Sequence, residues 1–217
     1  MNTDNTQHLE AIQDIRNMMK KSTRFLSLNG LSGVFAGIYA LIGATLAYFR
    51  IHDINDIIAN SKFEPGMSTN YASVRLDFYI FFFLVAGSVL VLSIATAYFL
   101  SNKKARKQGQ KLFDHTAWRV LINLSIPLIA GGFLCLAFLY HGTIAYIAPA
   151  MLLFYGMALI NASKYTYDDI RYFGICQSAL GLVNAFDLGH GLYYWAFGFG
   201  VLHIVYGLIM WNKYERK

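Results

Sequence analysis

Charged residues fall in short clusters along this chain, and the stretches between them are apolar enough to read as membrane spans. From Phe25 through Phe49 no side chain is formally charged. At about 1.5 Å per residue that run crosses a hydrocarbon core of about 30 Å. Phe78 to Leu100 repeats the pattern, opening on aromatic residues that suit an interface. The 44 residues from Val120 to Ser163 carry no Asp, Glu, Lys or Arg, enough for two crossings joined by a turn at His141-Gly142. Between Tyr172 and Asn212 the only formal charge is Asp187, in a Gly-rich break that ends at Gly191.

These runs predict an all-α integral membrane protein, a six-transmembrane-helix bundle of three helical hairpins. The expected spans are 25–49, 78–100, 120–140, 144–162, 170–186 and 192–212. The fifth is the shortest and carries Gln177 and Asn184. Residues 24–217 then form one transmembrane domain. Residues 1–23 are expected to form a cytoplasmic amphipathic helix, with Leu9, Ile12, Ile15 and Met19 on one face. The loop from Ile51 to Asp77 opens on IHDINDIIAN, spaced as a short interfacial helix, and turns at Glu64-Pro65-Gly66. The first apolar run is too long for a signal-peptide core and is expected to remain as an anchor.

Charge then orients the bundle. Fifteen Lys and Arg residues flank the odd-numbered span starts and even-numbered span ends, against Arg50, Lys62 and Arg75 on the other side. The positive-inside tendency therefore predicts both termini in the cytoplasm. The chain is 56% hydrophobic and only 14% charged, so its formal charge of +6 points to anionic lipid rather than nucleic acid. The basic loop at Lys103, Lys104, Arg106, Lys107 and Lys111 is the expected contact with those headgroups. Cys135 and Cys176 fall within spans and read as small buried hydrophobes.

Candidate chemistry lies in the polar residues that the spans carry into the hydrocarbon. Asn29, Asn123, Gln177, Asn184 and His203 are expected to face the bundle interior or a wet cavity, a candidate polar path. At the outer face His52, Asp53, His141, Asp187 and His190 form a candidate polar cluster, with no closely spaced ligand set that predicts a metal. Gly33 and Gly37 match a small-xxx-small pattern, which serves packing within the chain or a homo-oligomer. No Walker loop, HExxH or GxSxG occurs, and no cofactor is implied.

Two motif likenesses fail on geometry. Asp168-Asp169, Phe186 with His190, then His203 resembles the order found in CAAX-type intramembrane proteases, but Asp169 and His190 fall at opposite ends of one span. Gly198-Phe199-Gly200 resembles part of a potassium-channel filter, yet it lies within what reads as an uninterrupted apolar helix.

The stretch MMKKSTRFLSLNGLSGVFAGIYALIGA together with the six-span layout resembles a group of uncharacterised bacterial inner-membrane proteins. The resemblance implies a multi-pass protein of the bacterial inner (plasma) membrane and brings no activity. The leading expectation is a non-enzymatic bundle that acts through membrane or protein partners. The alternative is a small ion, proton or solute transporter or channel with a polar path near His203. A third reading is a haem-binding redox protein built on His203.

Overall fold

A computed structural model describes residues 29–61, 71–107, 113 and 115–216. Helices make up almost all of the described chain. They are α1 (Gly30–Ser61), α2 (Tyr71–Lys107), α3 (His115–Tyr140), α4 (Ile147–Ala162), α5 (Asp169–Phe186), α6 (Gly191–Trp195) and α7 (His203–Tyr214). A π-helical segment, Ala196–Leu202, joins α6 to α7 into one rod. The expected amino-terminal helix of 1–23, the Glu64-Pro65-Gly66 turn and Lys111 lie outside the described residues.

Among the described residues five segments are long and apolar enough to cross a membrane: Gly30–Asp53, Leu76–Lys107, His115–Tyr140, Ile144–Tyr165 and Leu188–Tyr214. The fifth expected span, α5, is helical over 18 residues but is not among them. Its 18 residues include Asp169, Arg171, Gln177 and Asn184, which dilute its apolarity. IHDINDIIAN also departs from expectation. It continues α1 without a break to Ser61 rather than forming a separate short helix.

The ends of the helices have local causes. Asn29 Oδ1 accepts from the Leu31 backbone N–H at 2.9 Å, an N-cap for α1. Glu215 Oε1 accepts from the Gly30 N–H at 2.7 Å, another donor that the helix start leaves free. Between α3 and α4 the chain reverses at Gly142, whose φ of 74° lies in the left-handed region that glycine adopts without strain. Thr143 N–H reaches Phe138 O at 2.8 Å and Gly142 N–H reaches Leu139 O at 3.2 Å, the paired bonds of a Schellman motif. The turn expected at His141-Gly142 is therefore where the chain reverses.

Packing is uneven. α4 and α5 form the closest pair, α1 lies along α7 and the π-helical segment, α2 packs on α1, and α3 packs on α4. Glycine explains the closest approaches. A Cβ on Gly174 would stand 2.7 Å from Gly156 O, and one on Gly37 would stand 2.6 Å from Gly200 O. Gly33 faces the backbone of Gly207, so the Gly33/Gly37 face of α1 is engaged within the chain. By contrast α2 and α3 turn most of their apolar surface outward, with Leu84 and Phe133 both more than two-thirds exposed.

Positive charge gathers at one end of the bundle. Lys213 Nζ lies 2.8 Å from Asp169 Oδ2, Lys104 Nζ lies 3.1 Å from Glu215 Oε1, and Arg119 sits over the Tyr165 ring. We call this the basic end, and the end carrying Asp187 and His190 the opposite end. The basic stretch after the second span is not a loop over its described part, because α2 runs helically through Lys103, Lys104, Arg106 and Lys107. Lys and Arg are good helix formers, so charge alone does not end a helix. Lys103, Arg106 and Lys107 are exposed. Lys104 is instead turned inward, its side chain 14% exposed and tied to Glu215, which corrects its expected place facing lipid.

Candidate functional site

The polar residues expected to line one path fall into separate groups. Asn29 caps α1 at the basic end. Asn123 Nδ2 donates back to Arg119 O at 2.8 Å, and the Asn123 carbonyl accepts from Asn161 Nδ2 at 2.9 Å, binding α3 to α4. Only Gln177, Asn184 and His203 are buried together in the half built by α4, α5 and the rod, with Gln177 and Asn184 at 0% exposure.

The centre of that half is the carbonyl of Gly198, within the π-helical segment. Gln177 Nε2 donates to it at 2.7 Å from α5, and His203 Nδ1 reaches it at 3.0 Å from the first residue of α7. A carbonyl only accepts, so the Nδ1 proton is assigned to the Gly198 side. The neutral ring then accepts the Tyr155 hydroxyl at Nε2, 2.8 Å away, which fixes the tautomer from both sides. Both ring nitrogens of His203 are thus engaged by the chain itself, where haem ligation would require one free.

Aromatic rings close around this node. Tyr155 and Phe199 lie at 24° and 19° to the His203 ring, and Phe173 meets it edge-on at 88°. Phe173 in turn stacks on Tyr206. Toward the basic end an apolar cluster of Leu159, Tyr167, Ile170, Phe173 and Met210 follows. Space beside Gly198 is tight, since a Cβ there would stand 2.7 Å from Gln177 Oε1 and press on Leu152, so both side chains would have to shift. Gly198-Phe199-Gly200 therefore lies in a π-helical interruption, which corrects its expected place in an unbroken helix. Such single π segments recur at functional sites because they shift the register of side chains and carbonyls.

Some buried polar atoms have no partner among the described residues. They include Gln177 Oε1, Ser178 Oγ, both polar atoms of the Asn184 side chain, and the Tyr206 hydroxyl. Unmet groups of this kind each call for a specific explanation.

At the opposite end the expected outer cluster is partly assembled. His190 Nδ1 lies 2.8 Å from Asp187 Oδ1, and Tyr194 donates to Asp187 Oδ2 at 3.2 Å. These bonds, the one from His190 foremost, hold the Asp187 carboxyl below its usual range. His52 stacks on Tyr48, which meets Tyr193, which meets His190, so His52 joins the cluster through rings rather than through polar contact. Asp53 is exposed beside it, and His141 packs edge-on against Tyr140. Among the described residues no group of three or more His, Cys, Asp or Glu side chains is placed to hold a metal ion.

Sequence reasoning found His203 and Gln177 but missed Tyr155 and Gly198. Tyr155 sits in a run of apolar residues where an aromatic reads as core. Gly198 was visible only as half of a Gly-Phe-Gly pair. Comparison of the chain with protein-family models, characterised proteins and solved structures found no match.

Proposed function

We propose that this chain is a six-crossing protein of a bacterial inner membrane, with both termini cytoplasmic, and that it acts without catalysis through partner proteins or anionic lipid. Crossing by α5 is part of the proposal. Small and amide residues are common where membrane helices pack on one another, and α5 buries Gly174, Gln177, Gly181 and Asn184 on one face. The observation that carries the functional reading is the division of labour between helices. The polar groups that bond inside the bundle bond to the chain's own backbone or rings, as with His203, Gln177 and Asn161. Meanwhile α2 and α3 leave long apolar faces uncovered, and Lys103, Arg106 and Lys107 stand exposed at the basic end.

A photo-crosslinking residue at Leu90 in α2 or Phe133 in α3, both outward-facing, tests this in native membranes. The expected result is a protein adduct of defined mass from at least one of them, or loss of anionic-lipid association on neutralising the three exposed basic residues. If neither occurs, the reading is wrong. A transport reading is favoured by one specific observation, the unpartnered Gln177 Oε1 and Asn184 side-chain amide on one face of α5. It requires solute or proton flux that His203→Ala abolishes.

A further inference from the structure

At the basic end two amides fix how α3 meets α4. Asn123 Nδ2 donates to Arg119 O within α3 at 2.8 Å, and Asn161 Nδ2 of α4 donates to Asn123 O at 2.9 Å. The chain then leaves α4 through the tight turn Ser163–Tyr165. Arg119 stands against that turn, its guanidinium carbon 5.9 Å from the centre of the Tyr165 ring. Lys164 precedes Tyr165 in the same turn.

The cations of this end differ in what they meet. Lys213 is held by Asp169 and Lys104 by Glu215, so their charges are matched within the chain. Arg119 and Lys164 are exposed, and among the described residues neither side chain has an ion pair or a hydrogen bond. The Tyr165 ring orients the Arg119 guanidinium without neutralising it. Asp168 follows Lys164 by four residues, and no ion pair joins the two. Beside Arg119 stands a row of rings. Trp118 lies 6.4 Å from Phe113, which lies 6.3 Å from Tyr98 of α2, and all three are more than half exposed. Exposed Trp and Tyr at the end of an apolar segment suit headgroup depth. From Trp118 an exposed stripe of Ile122, Ile126 and Ile129 runs along α3 at spacings of three and four residues.

We propose that Arg119 and Lys164 bind the phosphate of one anionic phospholipid, whose glycerol rests on Trp118 and whose acyl chain follows the Ile122–Ile129 stripe. The chemistry of each part matches. A guanidinium presents paired N–H donors in one plane, which fit two oxygens of a phosphodiester, and an ammonium on a flexible stem adds a second charge. Two unmatched cations favour a lipid with net negative charge over a zwitterionic one, whose own ammonium they repel. A free anion would meet the cations but leave the ring and the stripe uncovered. The inference rests on the reading that the basic end lies at a membrane surface. Its site is separate from Lys103, Arg106 and Lys107 of α2.

The test titrates phosphatidylglycerol into the full chain in neutral detergent and counts bound lipid by native mass spectrometry. Wild type should bind one phosphatidylglycerol more tightly than phosphatidylcholine. The double variant Arg119→Gln, Lys164→Gln should weaken that lipid about thirtyfold, at roughly fivefold per basic residue, with an unchanged melting temperature because both side chains are exposed. The triple variant Lys103→Gln, Arg106→Gln, Lys107→Gln should retain it. Undiminished binding by the double variant overturns the inference, and loss in the triple variant alone would leave the proposed lipid contact on α2 standing without this site. Equal affinity for phosphatidylcholine also overturns it. So does displacement by inorganic phosphate beyond that by chloride at equal ionic strength, which would make the ligand a free anion.

Discussion

Where α4 meets α5, glycines bring backbone against backbone, whereas on the outer faces of α2 and α3 glycines meet nothing. A Cβ on Gly156 would stand 2.6 Å from Gly174 O, while one on Gly87 in α2 or Gly132 in α3 has no neighbour within 4 Å. The two regions share a composition, rich in small and apolar residues, but use it differently. In the first, small size permits close packing and buried amide bonds. In the second, apolar surface is presented to whatever surrounds the bundle. In a membrane, where lipid is as apolar as Leu, close packing and hydrogen bonds rather than hydrophobic burial hold helices together. The region with the glycines and amides should therefore carry the stability.

The largest effect tests this contrast directly. Gly156→Ala or Gly174→Ala should destabilise the chain by about 3 kcal/mol or more, since each new methyl meets backbone that cannot rotate aside. Gly87→Ala and Gly132→Ala should instead stabilise by about 0.5–1 kcal/mol, the ordinary gain of Ala over Gly in a helix. Reversible unfolding in bicelles measures all four, and equal effects in the two regions would erase the distinction.

A pair of tyrosines sharpens it within the tight region. Tyr155→Phe removes the hydrogen bond to His203 Nε2 and should cost about 1 kcal/mol in the same assay. Tyr206→Phe removes a hydroxyl that has no partner and should cost nothing measurable or stabilise slightly. The reverse order would mean that the node around Gly198 is not a source of stability.

The opposite end adds a pH dependence of modest size. Because the bond from His190 and that from Tyr194 hold the Asp187 carboxyl below its usual range, its contribution is fully present above that range and is lost as pH falls through the depressed value. Asp187→Asn should therefore lower the melting temperature slightly at neutral pH and have no effect in strong acid. The carboxylate is exposed, so salt should shrink the difference.

The smallest stability effect is expected at the exposed basic residues of α2. Neutralising Lys103, Arg106 and Lys107 to Gln should leave unfolding unchanged while weakening association with anionic lipid by about 1 kcal/mol per residue at low salt. Lys104→Gln should do the opposite. Its ammonium is held by Glu215, which also accepts from the start of α1, so the loss should appear in stability.

Helix existence was readable because a run without charge has few alternatives, and five such runs match segments apolar enough to cross a membrane. Boundaries were less so. IHDINDIIAN has helical spacing, and nothing in it indicates whether it breaks from α1 or extends it. Asn29 looked buried because a charge-free run places its start at Phe25, whereas α1 begins at Gly30 and Asn29 caps it. The π-helical segment has no period of its own, and its two glycines read equally well as packing. Tyr155 joins the node only through the crossing of α4 past the rod, a tertiary fact that no local pattern encodes. Gln177 and His203 were recognisable because polar groups are rare within long apolar runs, but their common partner, a backbone carbonyl, has no signature.

A closed polar core and a conduit differ in flux. Purified chain reconstituted in sealed proteoliposomes, with internal pH and ion-sensitive dyes under an imposed gradient, separates them. For a closed core, proton and ion flux should be no greater than that of protein-free vesicles. Flux well above that level, abolished by His203→Ala in chain that remains folded, would show a conduit instead.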